Sequence, residues 1–213
     1  MQNYINFKSG NYYIKLKQPA EAIKNGGIVI FPTETVYGIG TNGLDEKAIK
    51  KLYEVKQRPL NKPISLLVNS FDMINEVAKD ITELEYTLIK KFFPGPLTII
   101  LKKKDIVPDI LTTNSDTVGI RMPANEIALK LIEYASVPIA TPSANISGKP
   151  SGTNPKDIIK DFNGKVDYFI DNGPTPIGLS STIVQVINGT PYILRQGSIT
   201  EEQIRAVCSN YLN

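Results

Sequence analysis

The stretch from Gly26 to Gly43 constrains the fold more than any other part of the chain. It opens with Ile28-Val29-Ile30-Phe31, apolar at every position, which predicts a buried strand between two glycines and a proline. Pro32 ends the run because it has no N–H to give to a ladder. The residues that follow are unusual for a connector: Thr33, Glu34, Thr35 and Tyr37 crowd together ahead of Gly38, Gly40 and Gly43. Hydroxyls grouped at a strand end, with glycines that let backbone approach a ligand, describe the wall of a site. A plain strand–turn–strand corner would also use Pro, Thr and Gly, so both readings stand at this point.

Further apolar runs predict strands over 64–68, 97–101, 118–122, 137–140 and 168–170. Between them, periodic patterns predict helices over 19–25, 70–78, 81–92, 127–134 and 155–162, with another that Asp45 opens and that ends into Lys56-Gln57-Arg58-Pro59. Asp80 with Glu83 is expected to open the helix over 81–92, and Ser198 with Glu201 a last helix through Cys208. Pro94-Gly95-Pro96 reads as a rigid turn, and Lys102-Lys103-Lys104 as solvated surface leading to a loop. Asn188-Gly189 between the β-rich runs 181–187 and 191–195 is a strong hairpin signal. Residues 1–17 read as an irregular arm with an edge strand. Crossover helices together with a hairpin predict one α/β domain over 1–213, an open twisted mixed sheet with flanking helices and a C-terminal hairpin.

Composition narrows the chemistry. The 213 residues include no histidine, which removes Ser–His and Cys–His catalysis, histidine general bases and His-based zinc sites. The single cysteine, Cys208, cannot form an internal disulfide, and a reducing, cytoplasmic setting is expected. Residues 1–10 lack the apolar segment of a signal peptide, and no run approaches a membrane span. A net charge of +3 permits anionic ligands without announcing a nucleic-acid binder.

Gly38-x-Gly40-x-x-Gly43 matches a dinucleotide fingerprint, but a long loop separates it from the strand, and Lys56, Arg58 and Lys62 stand where a ribose-binding acid belongs. Lys56-x-Arg58 is the better anion candidate. Arg121, Ser143-x-Asn145 and Arg195 each sit at the end of an apolar run, where open α/β sheets bind ligands. Convergence of the three arginines and Lys56 on one crevice would suit a polyphosphate.

Taken in order, Pro32-Thr33-Glu34-Thr35-Val36-Tyr37-Gly38, Lys56-Gln57-Arg58-Pro59, Pro94-Gly95-Pro96, Arg121, residues 141–148 (TPSANISG), Ser181-Thr182 and Arg195-x-Gly197 resemble the YrdC-type threonylcarbamoyl-AMP synthase family. The resemblance covers roughly residues 15–200 and is to the short form, without an extra C-terminal domain. It implies a YrdC-like domain that joins L-threonine, bicarbonate and ATP into threonylcarbamoyl-AMP and diphosphate. It further implies transfer by a partner tRNA threonylcarbamoyl-transferase complex to the adenosine beside the anticodon, with a tRNA or double-stranded RNA contact as an accompaniment. By this resemblance Lys56, Arg58, Ser143 and Asn145 carry the catalysis, and Arg58, Lys62, Thr117, Ser143, Ser151 and Arg195 bind ATP. Thr35, Leu67, Arg121, Thr141 and Ser181 hold L-threonine, and Mg²⁺ is expected, held mainly by the triphosphate. Lys62 departs from the His or Asn common in the family. The competing readings are an RNA-binding module of the same fold without the activity, and a carbamoyl-adenylate maker of hydrogenase maturation. The chain lacks the aromatic–basic interleaving of the first and the zinc-finger and acylphosphatase parts of the second.

Overall fold

A run with no polar position needs cover on every side, and residues 28–31 obtain it. Strand β2 (Val29–Phe31) is fully buried, parallel to β8 (Tyr168–Asp171) on one side and antiparallel to β3 (Gly38–Asn42) on the other. The computed structural model describes residues 3–7 and 13–211; the remainder of the N-terminal arm, Tyr12 included, lies outside the described residues. The other strands are β1 (Asn3–Asn6), β4 (Leu66–Leu67), β5 (Leu97–Lys102), β6 (Thr117–Arg121), β7 (Ile139–Ala140), β9 (Thr182–Ile187) and β10 (Thr190–Arg195). They form one mixed sheet in the order β1-β8-β2-β3-β7-β4-β6-β5-β9-β10. The edge strand foreseen in the arm is β1, and the Asn188-Gly189 hairpin joins β9 to β10, with both turn residues at positive φ. Helices α1 (Lys17–Lys24), α2 (Glu46–Lys56), α3 (Phe71–Val77), α4 (Glu83–Phe92), α6 (Glu126–Ala135), α7 (Pro155–Phe162) and α8 (Glu201–Tyr211) flank it, and a one-turn α5 (Asp109–Thr112) occupies a segment read as loop. This is the expected α/β domain with an open mixed sheet. Among the described residues no helix is long and apolar enough to cross a membrane.

Three readings need correction. The glycines of 38–43 do not form a ligand-facing loop: Gly38 and Gly40 lie in β3, and a Cβ on Gly40 would stand 2.5 Å from Ile139 Cγ2 and 3.0 Å from Phe31 Cε1. They are small because protein, not ligand, approaches them. Helix α4 is opened by Thr82, not Asp80. Thr82 Oγ1 accepts from Glu85 N (3.3 Å) while Glu85 Oε2 accepts from Thr82 N (2.7 Å), and Asp80 has φ +52°, which no extended N-cap residue adopts. Helix α8 begins after Thr200, whose hydroxyl accepts from Gln203 N while Gln203 Oε1 accepts from Thr200 N (2.8 Å), rather than after Ser198.

The two faces of the sheet differ across β7, β4, β6, β5 and β9. Leu66, Ile99, Ile120, Ala140 and Val184 are fully buried on one face. Their alternating neighbours Ser65, Thr98, Arg121, Thr141 and Ile183 are mostly polar and lie on the other. One face is core. The other is the floor of a crevice.

The glycine correction has a direct test. Gly40→Ala should cost about 1–3 kcal/mol of stability by chemical denaturation, because the new methyl group meets packed side chains. A variant as stable as the native chain would show that β3 tolerates a side chain there.

Candidate active site

The crevice follows from strand periodicity. Residues two apart on neighbouring short strands share a face, and register pairs Leu67 with Arg121 and Thr98 with Ile183. The resulting cavity of about 170 Å³ has Arg58, Arg121, Thr141, Ser143, Ser181 and Arg195 among its lining residues. A second cavity of about 280 Å³ shares Pro63, Ile64, Ser65 and Ile183 with the first and continues over Ile100, Thr117, Gly119 and Gln185. Gly119 leaves its floor open: a Cβ there would stand 2.7 Å from Ser65 Oγ. The first cavity is cationic and the second largely apolar.

Each cation is fixed by backbone carbonyls. Gln57 stops α2 in the left-handed region (φ 51°), which turns Arg58 toward residues 62–63. There Arg58 Nε donates to Lys62 O (3.0 Å) and Nη2 to Pro63 O (2.7 Å). Arg195, at the end of β10, donates from Nε and Nη2 to Ser181 O (3.1 and 2.8 Å) and from Nη2 to Ser181 Oγ (3.1 Å). Burial holds both guanidinium groups below their ordinary pKa, and for Arg195 the charges of Arg121 and Arg58 add to it. Arg121 ends β6, with Nε donating to Gly95 O (3.2 Å) and Nη2 to Thr35 Oγ1 (2.9 Å). It also has a carboxylate beside it: Glu34 Oε1 lies 2.7 Å from Arg121 Nη2, with both residues only 7% exposed. The N–H vectors are not aimed at this carboxylate, and neither Glu34 oxygen accepts a hydrogen bond among the described residues. The contact is an ion pair held by charge, not by a directed bond.

Lys56 stands behind the site rather than in it. The residue is 1% exposed and absent from the lining, and its Nζ donates to Ser143 O (2.5 Å) and Asn145 O (2.6 Å) while Ser147 N donates to Lys56 O (3.2 Å). It pins the 143–147 loop from both ends. Burial, with the neighbouring Arg58 charge, pushes its ammonium down to about 7.

The remaining expected residues divide likewise. Leu67, Thr141, Ser143 and Ser181 line the first cavity, and Thr117 lines the second. Asn145 lies one layer back, its Oδ1 accepting from Ser143 Oγ (2.5 Å), and buried Thr35 serves Arg121 rather than the cavity surface. Lys62 contributes its carbonyl to Arg58 and Tyr53, and Ser151 adjoins Gly152, whose carbonyl accepts from Tyr37 N; neither side chain lines the crevice. Sequence reasoning did not single out Thr98, whose hydroxyl lies 2.8 Å from Ser181 Oγ, nor Glu34 as a partner of Arg121. Thr98 had one signal, a lone hydroxyl in an apolar strand. The lining holds no Asp or Glu, and the described residues contain no cluster of His, Cys, Asp or Glu suited to a metal ion.

A family model described as "Telomere recombination", for Sua5, YciO and YrdC proteins, matches residues 21–197. The chain belongs to the Sua5/YciO/YrdC family. It is 48% identical over 193 residues to the threonylcarbamoyl-AMP synthase of Pyrococcus abyssi, an alignment covering 91% of this chain and 57% of that protein. To the Bacillus subtilis threonylcarbamoyl-AMP synthase it is 41% identical over 194 residues, covering 91% of this chain and 56% of that one. The crystal structure of P. abyssi Sua5 complexed with L-threonine superposes with a TM-score of 0.93 at 46% identity, covering 96% of this chain and 60% of that one. The chain thus spans little more than half the length of these relatives.

Lys56 gives the site a pH signature. An unfolded lysine keeps its proton to about 10.5, whereas folded Lys56 loses it near 7, so between these values the unfolded chain binds more protons and stability rises with pH. At acid pH, below both values, the burial cost is full. Replacing Lys56 by Met removes this dependence. Urea unfolding at about pH 6 and about pH 9 should show the native chain gaining at least about 1 kcal/mol relative to Lys56→Met at the higher pH. A difference independent of pH would contradict the assignment.

Proposed function

We propose that the crevice makes threonylcarbamoyl-AMP from L-threonine, bicarbonate and ATP. The observation that carries this reading is the junction of a small three-arginine cavity with a larger, mostly apolar one across one sheet face. A nucleoside triphosphate needs that pair: Ile64, Ile100, Val118, Ile183 and Leu194 suit the faces of a purine, and Thr117 and Gln185 offer polar atoms at its edge. Arg58 and Arg195 stand at the cationic end, where phosphate oxygens would lie. Arg121, with Thr141 and Ser181 beside it, suits the carboxylate and hydroxyl of threonine, and the P. abyssi relative complexed with L-threonine supports threonine as a ligand.

The chemistry asks for no histidine. The threonine amine and bicarbonate combine into a carbamate with loss of water. A carbamate oxygen then bonds to the α-phosphorus as the bond to the β-phosphate oxygen breaks, and diphosphate leaves with that electron pair. Two anions must be brought together and the growing charge neutralised, which is positioning and electrostatics. Arg58 and Arg195 do the neutralising, the Arg195–Ser181 bonds tie the nucleotide and threonine ends together, and Lys56 holds the loop that presents Ser143 and Asn145. Ser151 and Lys62 would approach the nucleotide from the loops that carry them. Mg²⁺ fits as an ion carried on the triphosphate, since the lining offers hydroxyls and no carboxylate; it would neutralise phosphate charge there. The product would pass to a tRNA threonylcarbamoyl-transferase complex in the cytoplasm, as the sequence resemblance implies.

Mass detection of threonylcarbamoyl-AMP from the three substrates tests this reading directly. Its absence, with RNA bound in a salt-dependent way instead, would favour the RNA-binding alternative. Arg58→Ala should lower turnover by about 100-fold or more, the value of a charge donor acting in the transition state of a dry cleft. Near-native turnover in a folded variant would remove Arg58 from the catalytic role.

A further inference from the structure

Among the four cations around the crevice, three are anchored by neutral oxygens alone. Lys56, Arg58 and Arg195 donate to backbone carbonyls and, for Arg195, to a hydroxyl. Such anchors fix the side chain without a countercharge, and for Arg58 and Arg195, which line the cavity, that is what a polyphosphate needs. Arg121 differs. It already has a carbonyl and a hydroxyl to hold it, yet Glu34 is buried beside it with its carboxylate 2.7 Å from Nη2 and no other hydrogen bond for either oxygen. A carboxylate is costly to bury, and orientation alone could have been supplied by a neutral group. Its distinctive effect is on charge.

We propose that Glu34 is a positioning and specificity residue that sorts anions within the crevice. By neutralising Arg121 from behind, it makes that end of the cavity acceptable to a singly charged carboxylate, above all one carrying its own ammonium group. The same carboxylate repels phosphates, since the repulsion grows with the charge of the incoming anion. Without it the three cavity arginines would form one continuous phosphate trap, and ATP or diphosphate could occupy the place kept for the amino acid. Arg121 Nη1, which donates to neither Gly95 nor Thr35, is the donor left for the ligand. This deepens the reading of Arg121 as the threonine carboxylate site and rests on it only for the identity of the favoured ligand.

The test uses inorganic phosphate as probe, titrated calorimetrically into the native chain, Glu34→Gln, Glu34→Asp and the double variant Glu34→Gln/Arg121→Gln. Glu34→Gln should bind phosphate at least about tenfold more tightly, because the repelling charge is gone. Glu34→Asp should show a smaller gain, and the double variant should lose the gain because it depends on Arg121. A purely structural glutamate would lower stability without tightening phosphate. Unchanged or weaker phosphate binding in folded Glu34→Gln would overturn the proposal, as would a gain that survives in the double variant. If Glu34→Gln does not fold, Glu34→Asp carries the test, and native-like phosphate affinity in it would overturn the proposal. A parallel titration of L-threonine into the native chain keeps the two ideas apart. Failure of threonine to bind would remove the amino-acid reading, whereas the phosphate series reads the charge sorting by itself.

Discussion

Positive charge fixed in place without being cancelled is the constraint on which the site depends. Burying a cation beside a carboxylate is simple, but the pair then has little left for a ligand. Here Arg58 and Arg195 are fixed by carbonyl oxygens at 62, 63 and 181, which bind the donors and keep the charge, while those at 143 and 145 hold Lys56 behind the site. Those carbonyls are free to do so because each lies in irregular backbone: the turn after α2, the loop after β7 and the approach to β9. The loops around the crevice therefore owe their shapes to the same bonds that hold its charges in place.

The sheet supplies the other half. A mixed sheet with a core on both faces has no room for a ligand, but across β7, β4, β6, β5 and β9 only one face is core, its one polar side chain in β9, Thr182, being fully buried and bonded to Ile199 O. Gly119, in the middle of β6, opens the floor where a side chain would meet Ser65 and Thr98. The polar face then holds both cavities in one line, cationic at Arg121 and apolar toward Thr117. A ligand with a charged end and a flat, mostly apolar end fits that gradient.

Much of this was legible from residues and some was not. Strand β2, the Asn188-Gly189 hairpin and the Asp45-capped helix were plain, because their signals are local. Arg121 and Arg195 stood out as charges closing apolar runs, and the structure brings both to the crevice. Strand β3 was hidden because its glycines answer to Ile139 and Thr141, partners about 100 positions away, as well as to Phe31. Asp80 and Ser198 each have a glutamate three residues on and so looked like caps; backbone conformation at Asp80 and the reciprocal bonds at Thr82 and Thr200 overrule them. The direction of Lys56 was likewise not readable, since it depends on where the 143–147 loop crosses the end of α2. Nor did the sequence tell that Glu34 faces Arg121, 87 positions on, rather than solvent.

The central claim is a division of labour: Arg121 for the amino acid, Arg58 and Arg195 for phosphates. A crystal structure of the protein with L-threonine and a non-hydrolysable ATP analogue tests it most directly. The account predicts the threonine carboxylate within about 3 Å of Arg121 Nη1, with the purine over Ile100 and Thr117 and the phosphates facing Arg58 and Arg195. Phosphate oxygens seated on Arg121, or threonine bound away from it, would contradict the account.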